Sequence, residues 1–88
     1  MIINTSIFKK LIKEAYTGGG LNIQHTGEDI YIWGGSWGIK TTDKFFTNKE
    51  KAAVIELAGD IPKEKMIRVH NKEELSAPDH NPLETYMN

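Results

Sequence analysis

The chain has 88 residues, enough for one small domain and too few for a second hydrophobic core. Hydrophobic residues make up 39% and charged residues 26%, a composition typical of a globular protein. The formal net charge of -1 excludes strong charge-driven attraction of the whole chain to nucleic acid or acidic lipid. The absence of cysteine excludes disulfides, thiolate metal sites and cysteine nucleophiles. No apolar run is long enough to span a membrane, and we expect a cytoplasmic protein.

The first predicted element is a helix over residues 5–16, because apolar side chains recur there at helical spacing. Thr5 or Ser6 is expected to cap its first free N–H groups, and Gly18 to close it in the left-handed conformation. The polar side of this helix carries four charged residues, which is typical of a solvated face: Lys9, Lys10, Lys13 and Glu14.

Three strands are predicted next, over residues 21–25, 30–33 and 36–40, from two-residue alternation and from β-branched and aromatic residues. Residues 26–29 form the first turn, and Gly34-Gly35 suits a two-residue hairpin. Pairing across the first turn sets Ile23 against Ile32. Pairing across the second sets Ile32 against Trp37, so that paired residues share a face of the sheet.

The two faces of this predicted sheet differ in composition. One face is the predicted core and has His25 at its edge; it collects Leu21, Ile23, Ile30, Ile32, Trp37 and Ile39. The opposite face is polar but carries two large aromatic side chains; it collects Asn22, Gln24, Tyr31, Trp33, Ser36, Gly38 and Lys40.

A second helix is predicted after Thr47, because Thr47 and Glu50 match the capping box, and Gly59 with Pro62 ends it. Residues 66–70 could add a short fourth strand. Polar and acidic residues dominate the end of the chain, and we expect one domain over residues 1–75 and a mobile tail over 76–88. The predicted fold class is therefore α+β: a helix, a three-stranded antiparallel meander and a helix, with both helices on the Ile23 face.

Motifs for catalysis or metal binding are weak. The glycines at residues 18–20 follow a helix instead of preceding one, which is typical of a helix cap and not of a phosphate loop. The three histidines lack the spacing of paired metal ligands, and Asp79-His80 lies in the predicted tail. No Ser or Thr lies in a nucleophile-elbow pattern. We therefore predict no enzymatic activity, no metal and no cofactor.

Tyr31 and Trp33 are the strongest candidate site. On the sheet face away from the helices they would expose a large apolar area, and both residue types are enriched among binding hot spots. Two alternatives stay open: the tail or residues 66–70 cover the two aromatics, or nucleobases stack on them. Lys40 is the one basic residue near them, fewer than single-strand binders use. The predicted partner-binding residues are Tyr31, Trp33, Asn22, Gln24 and Lys40.

Four segments together, residues 7–16, 18–20, 30–35 and 48–53, resemble small uncharacterised proteins carried by phages and mobile elements of Gram-positive, clostridial-type gut bacteria. The resemblance covers roughly residues 1–60. It implies a phage accessory protein, and such proteins often act in the host cytoplasm by blocking a host protein, a defence nuclease for example.

The sequence thus predicts a non-enzymatic binding protein that inhibits a host protein through the aromatic sheet face. A small nucleic-acid-binding module is the alternative, and a homodimer formed through the same face is also open. No membrane partner is expected.

Overall fold

The structure is a computed structural model that describes residues 4–71 and 73–75. Its described elements are α1 (Thr5–Gly18), β1 (Leu21–Thr26), β2 (Asp29–Trp33), β3 (Gly38–Thr42), α2 (Asn48–Ala58), β4 (Met66–His70) and β5 (Glu73–Leu75). The predicted α+β class is confirmed, and β5 is an addition. The predicted tail over 76–88 lies outside the described residues, so the boundary at residue 75 stays a prediction.

The five strands form one antiparallel sheet in the order β3-β2-β1-β4-β5, with β1 at its centre. The predicted register of β1 and β2 is confirmed: Ile23 pairs with Ile32. The predicted fourth strand is also present. It lies on the other side of β1 from β2, and Ile23 pairs there with Ile67.

The predicted register of β2 and β3 is wrong by two residues. Ile32 pairs with Ile39 and not with Trp37, because the loop has four residues, Gly34 to Trp37. The Gly34 N–H closes this loop by donating to the Trp37 carbonyl oxygen at 3.1 Å. A shift of two keeps every side chain on its predicted face, since strand side chains alternate with period two. Trp37, however, leaves the strand and lies in the loop.

Helix α1 extends beyond both predicted caps. Asn4, and neither Thr5 nor Ser6, is the N-cap; its side-chain oxygen accepts from the Ser6 N–H at 2.8 Å. Capping by Asn4 places Thr5 and Ser6 inside the first turn of the helix. At the other end Gly18 is still helical, and Gly19 is the C-cap.

Helix α2 begins and ends as predicted. The Thr47 N–H donates to Glu50 Oε1 at 2.9 Å, and the Glu50 N–H donates to the Thr47 hydroxyl at 3.3 Å. These two bonds form the capping box. The helix ends at Gly59, whose φ of 88° lies in the region that favours glycine.

Both helices pack on the same face of the sheet, as predicted. Phe8 of α1 and Val54 of α2 are fully buried with strand residues Ile23 and Ile32. Phe8 also meets Phe46 edge to face, with ring centroids 6.2 Å apart. Side chains from both helices and from the strands form one buried cluster between the helices and the sheet. Each fully buried apolar side chain stabilises the fold by about 1.5–3 kcal/mol. None of the described helices is long and apolar enough to cross a membrane.

Candidate functional site

The five predicted partner-binding residues lie together on the sheet face away from the helices. Tyr31 pairs with Gln24 on one side and with Lys40 on the other, and Trp33 pairs with Asn22. The Lys40 ammonium lies 5.6 Å from the centroid of the Tyr31 ring, within cation–π distance. The grouping of these residues on one face is therefore as predicted.

The expectation that Tyr31 and Trp33 project into solvent is wrong. Tyr31 is 2% exposed and Trp33 is 5% exposed. The face is wider than the predicted meander, because β4 contributes two further half-buried side chains to it, Met66 and Arg68. Tyr31 and Trp33 are buried side chains; residues 66–70 extend the sheet beside β1, and the predicted cover by the tail over 76–88 lies outside the described residues. Their assignment as partner contacts stays a prediction, without the exposure on which it rested.

A polar cavity of about 350 Å³ lies at the end of the sheet where β1 begins and β2 ends. Glycines from two loops form much of its surface, and we call it the glycine-walled pocket. Its lining residues come from the end of α1, the α1–β1 link, β1, the β2–β3 loop and β4: Glu14, Ala15, Gly18, Gly19, Gly20, Asn22, Gly34, Gly35, Ser36, Trp37 and Arg68.

Two of these glycines are required by close contacts. At Gly34 an added Cβ would lie 2.8 Å from Trp37 Nε1 and 3.0 Å from the Ala15 Cβ. At Gly20, where φ is +131°, an added Cβ would lie 2.5 Å from Arg68 Nε. The Trp37 indole and the Arg68 side chain therefore occupy the space that a Cβ atom at Gly34 or at Gly20 would need.

Asn22 and Arg68 are opposite each other on β1 and β4. Asn22 Nδ2 donates to the Trp33 carbonyl oxygen at 3.3 Å, and Arg68 Nη2 donates to the Gly19 carbonyl oxygen at 2.7 Å. The remaining atoms, Asn22 Oδ1 and Arg68 Nε, are closed to solvent and find no hydrogen-bond partner within the described residues. An unpaired acceptor and an unpaired donor thus lie on neighbouring strands at the pocket.

The pocket also carries two opposite charges that do not neutralise each other. Glu14 is exposed on α1, and Arg68 is half-buried on β4. Among the described residues the contact found between a basic and an acidic side chain is His25 Nε2 to Asp43 Oδ2, at 3.3 Å, so Glu14 and Arg68 are not within ion-pair distance. The C-terminal end of α1 adds partial negative charge beside Gly19.

The His25–Asp43 pair lines a smaller cavity of about 250 Å³, together with Lys51 and Asp60. His25 lies at the edge of the core face, as predicted. Residues 4–71 and 73–75 contain no group of three or more His, Cys, Asp or Glu that could hold a metal ion.

The sequence did not reveal the glycine-walled pocket, although it contained its signals. The glycines at 18–20 do end helix α1, and those at 34–35 do lie in a loop between two strands. Their shared position at one pocket was not predicted. Trp37 was assigned to the core face, and Arg68 had no assigned role. A polar residue such as Asn22 on a central strand was the available clue, because a buried polar side chain needs hydrogen-bond partners.

Comparison of the chain with protein-family models, with curated proteins and with solved structures found no match.

Proposed function

We propose that this protein is a non-enzymatic binding protein and that it holds a carboxylate-bearing ligand in the glycine-walled pocket through Arg68. One observation carries the proposal. Asn22 Oδ1 and Arg68 Nε are buried on paired strands, and neither finds a hydrogen-bond partner in the part of the chain that the structure describes. A buried polar atom left unpaired costs about 1–3 kcal/mol, a large share of the stability of a small domain.

A carboxylate matches the chemistry of Arg68. A guanidinium presents its N–H donors in a fixed plane that suits the two oxygens of a carboxylate. Among the described residues Arg68 makes one hydrogen bond, to Gly19, and no ion pair. Its charge is therefore available to a ligand.

Access to the unpaired atoms requires a side-chain movement. Because Asn22 Oδ1 and Arg68 Nε are closed to solvent, a ligand reaches them only when Arg68 moves away from Gly20. Within the described residues the tip of Arg68 is held by one hydrogen bond, to Gly19, so this movement breaks that bond and frees the guanidinium for a ligand. The ligand then replaces the lost bond.

The groups at the pocket support binding and not proton transfer. Arg68 offers N–H donors, Asn22 an amide and Trp37 an indole, which are groups for recognition and not general bases. Glu14 is exposed to solvent, where no neighbour fixes its geometry. We therefore propose recognition without chemistry.

A structural role for Arg68 explains part of the arrangement. An arginine that donates to the last carbonyl groups of a helix satisfies them and complements the helix dipole, as Nη2 does at Gly19. This role accounts for Nη2. It does not account for the unpaired Nε or for Asn22 Oδ1 beside it.

The test is an NMR titration of the ¹⁵N-labelled chain with sodium propionate, with sodium chloride at equal ionic strength as the reference. We expect the amide signals of residues 18–20 and 34–36 and the Trp37 indole N–H to shift together and to saturate. Arg68→Gln should abolish the shifts, and Lys9→Gln, which removes an exposed charge from α1, should leave them unchanged.

Two outcomes would contradict the proposal. One is the absence of any saturable shift at the pocket with propionate and with the amino-acid probes described below. The other is an equal response of wild type and a folded Arg68→Gln variant. If Arg68→Gln fails to fold, the location of the shifts in the wild-type chain decides the question. The phage resemblance suggests a separate hypothesis, the inhibition of a host protein. This titration does not test it.

A further inference from the structure

We infer that the ligand of the glycine-walled pocket is a free α-amino acid, bound as its zwitterion. The inference rests on the proposed function, because it names the ligand class for the same site. Its carboxylate lies on Arg68, and its ammonium group lies toward Asn22 Oδ1 and the Glu14 carboxylate.

The first argument is the charge of the pocket. Its lining contains one cation, Arg68, and one anion, Glu14, and these form no ion pair with each other. A simple anion is attracted by Arg68 but repelled by Glu14 and by the C-terminal end of α1. A simple cation is attracted by Glu14 but repelled by Arg68. A ligand that carries both charges gains from both side chains.

The second argument is the unpaired acceptor. Asn22 is 9% exposed, lines the pocket and has an Oδ1 atom without a hydrogen-bond donor among the residues described. A carboxylate supplies acceptors only and cannot satisfy this oxygen. An ammonium group supplies three donors, and in an α-amino acid it is attached to the same carbon as the carboxylate. That arrangement matches a donor on β4 and an acceptor opposite it on β1.

The third argument is the position of Glu14. It lies near the C-terminal end of α1, where an acidic side chain is unfavourable because the helix dipole is negative there. It makes no hydrogen bond through its carboxylate and no ion pair with any described residue that would compensate for this. An ammonium group bound beside it supplies the missing compensation.

The fourth argument is size and shape. A cavity of about 350 Å³ is at the small end of ligand pockets, and it suits a single amino acid better than a peptide or a nucleotide. The glycine loops leave room for close approach of the polar end of the ligand. The Trp37 indole and Ala15 offer an apolar surface to its side chain.

The test compares four ligands with the same ¹⁵N-labelled chain: L-alanine, propionate, ethylamine and N-acetyl-L-alanine. L-alanine has both charges, propionate lacks the ammonium group, ethylamine lacks the carboxylate, and the acetylated form has no positive charge. We expect L-alanine to bind about tenfold or more tightly than each of the others, the ratio that one charge-assisted hydrogen bond provides.

A matched pair of variants assigns the ammonium contact. Glu14→Gln should lower the affinity for L-alanine toward that for propionate, while propionate binding is kept or strengthened. Glu56→Gln, an exposed carboxylate on α2, should change neither affinity. Both positions are exposed, so neither change should disturb folding.

The outcomes separate this inference from the proposed function. Equal affinity for L-alanine and propionate, or an unchanged preference in Glu14→Gln, would overturn the amino-acid inference and leave a carboxylate-binding site. Ethylamine binding as tightly as L-alanine would overturn it as well. No shift at the pocket with any of the four ligands would remove the proposed function together with the inference.

Discussion

Arg68 lies so close over Gly20 that a Cβ atom at residue 20 would be 2.5 Å from its Nε atom. The guanidinium then reaches the Gly19 carbonyl oxygen with Nη2 at 2.7 Å. One side chain of β4 therefore connects the end of α1 to the sheet, and it occupies the space that an ordinary residue at position 20 would need.

Gly20→Ala should destabilise the protein by about 1–3 kcal/mol, because residue 20 has a φ of +131° and the methyl group would displace Arg68. Gly19→Ala is the matched control: residue 19 has extended φ, and its Cβ would meet no atom within 4 Å. Urea unfolding measures both. Equal stability of the two variants would show that the contact with Arg68 imposes no constraint.

Gly34→Ala should move the Trp37 indole, since the added methyl group would lie 2.8 Å from its Nε1. We expect a shifted indole N–H signal, altered tryptophan fluorescence and weaker ligand binding. Gly35→Ala, where nothing lies within 4 Å of the added methyl group, should leave all three unchanged. An unmoved Trp37 signal in Gly34→Ala would contradict the geometry of the β2–β3 loop.

Trp33→Ala should destabilise the fold by about 3–5 kcal/mol, as expected for truncation of a buried aromatic side chain. Trp33 is 5% exposed, whereas Ile7 is 53% exposed, so Ile7→Ala is the control and should be close to neutral. Thermal and urea unfolding give the two free energies. A Trp33→Ala variant as stable as the parent would restore the earlier idea of an exposed aromatic face.

Ile32→Ala should lower the free energy of unfolding by about 2–5 kcal/mol, because Ile32 is completely buried on the face of the sheet that the helices cover. Ile55→Ala on α2 is the same chemical change at a residue that is 41% exposed, and it should be close to neutral. The comparison is made by urea unfolding. Similar losses in both variants would mean that the core lies elsewhere.

Local patterns in the sequence were enough for the elements and for the two faces of the sheet. Alternation placed Ile23 and Ile32 in the core and paired them correctly, because a strand turns successive side chains to opposite sides. The Thr47 and Glu50 capping box likewise depends on residues three positions apart. Such features are fixed by neighbours along the chain.

The candidate site could not be predicted in this way, because it depends on contacts between distant parts of the chain. Nothing local to Arg68 indicates that β4 pairs with β1 and sets Arg68 opposite Asn22. The burial of Tyr31 and Trp33 could not be predicted either, since alternation assigns a side chain to a face of the sheet but does not show whether that face is covered. The predicted β2–β3 register was wrong because Gly34-Gly35 favours a two-residue turn. The hydrogen bond from the Gly34 N–H to the Trp37 carbonyl oxygen instead closes a four-residue loop.

The strand order has a consequence for the sequence of events during folding. β1, β2 and β3 pair with their immediate neighbours along the chain, whereas β4 must return past β3 and α2 to reach β1. Contacts between distant residues form more slowly, because loop closure costs entropy before the contact repays it. We therefore expect the hairpins to form first and β4 to join last. A chain in which β4 has not yet joined would present the meander without Arg68, and the pocket would be completed only by that last pairing.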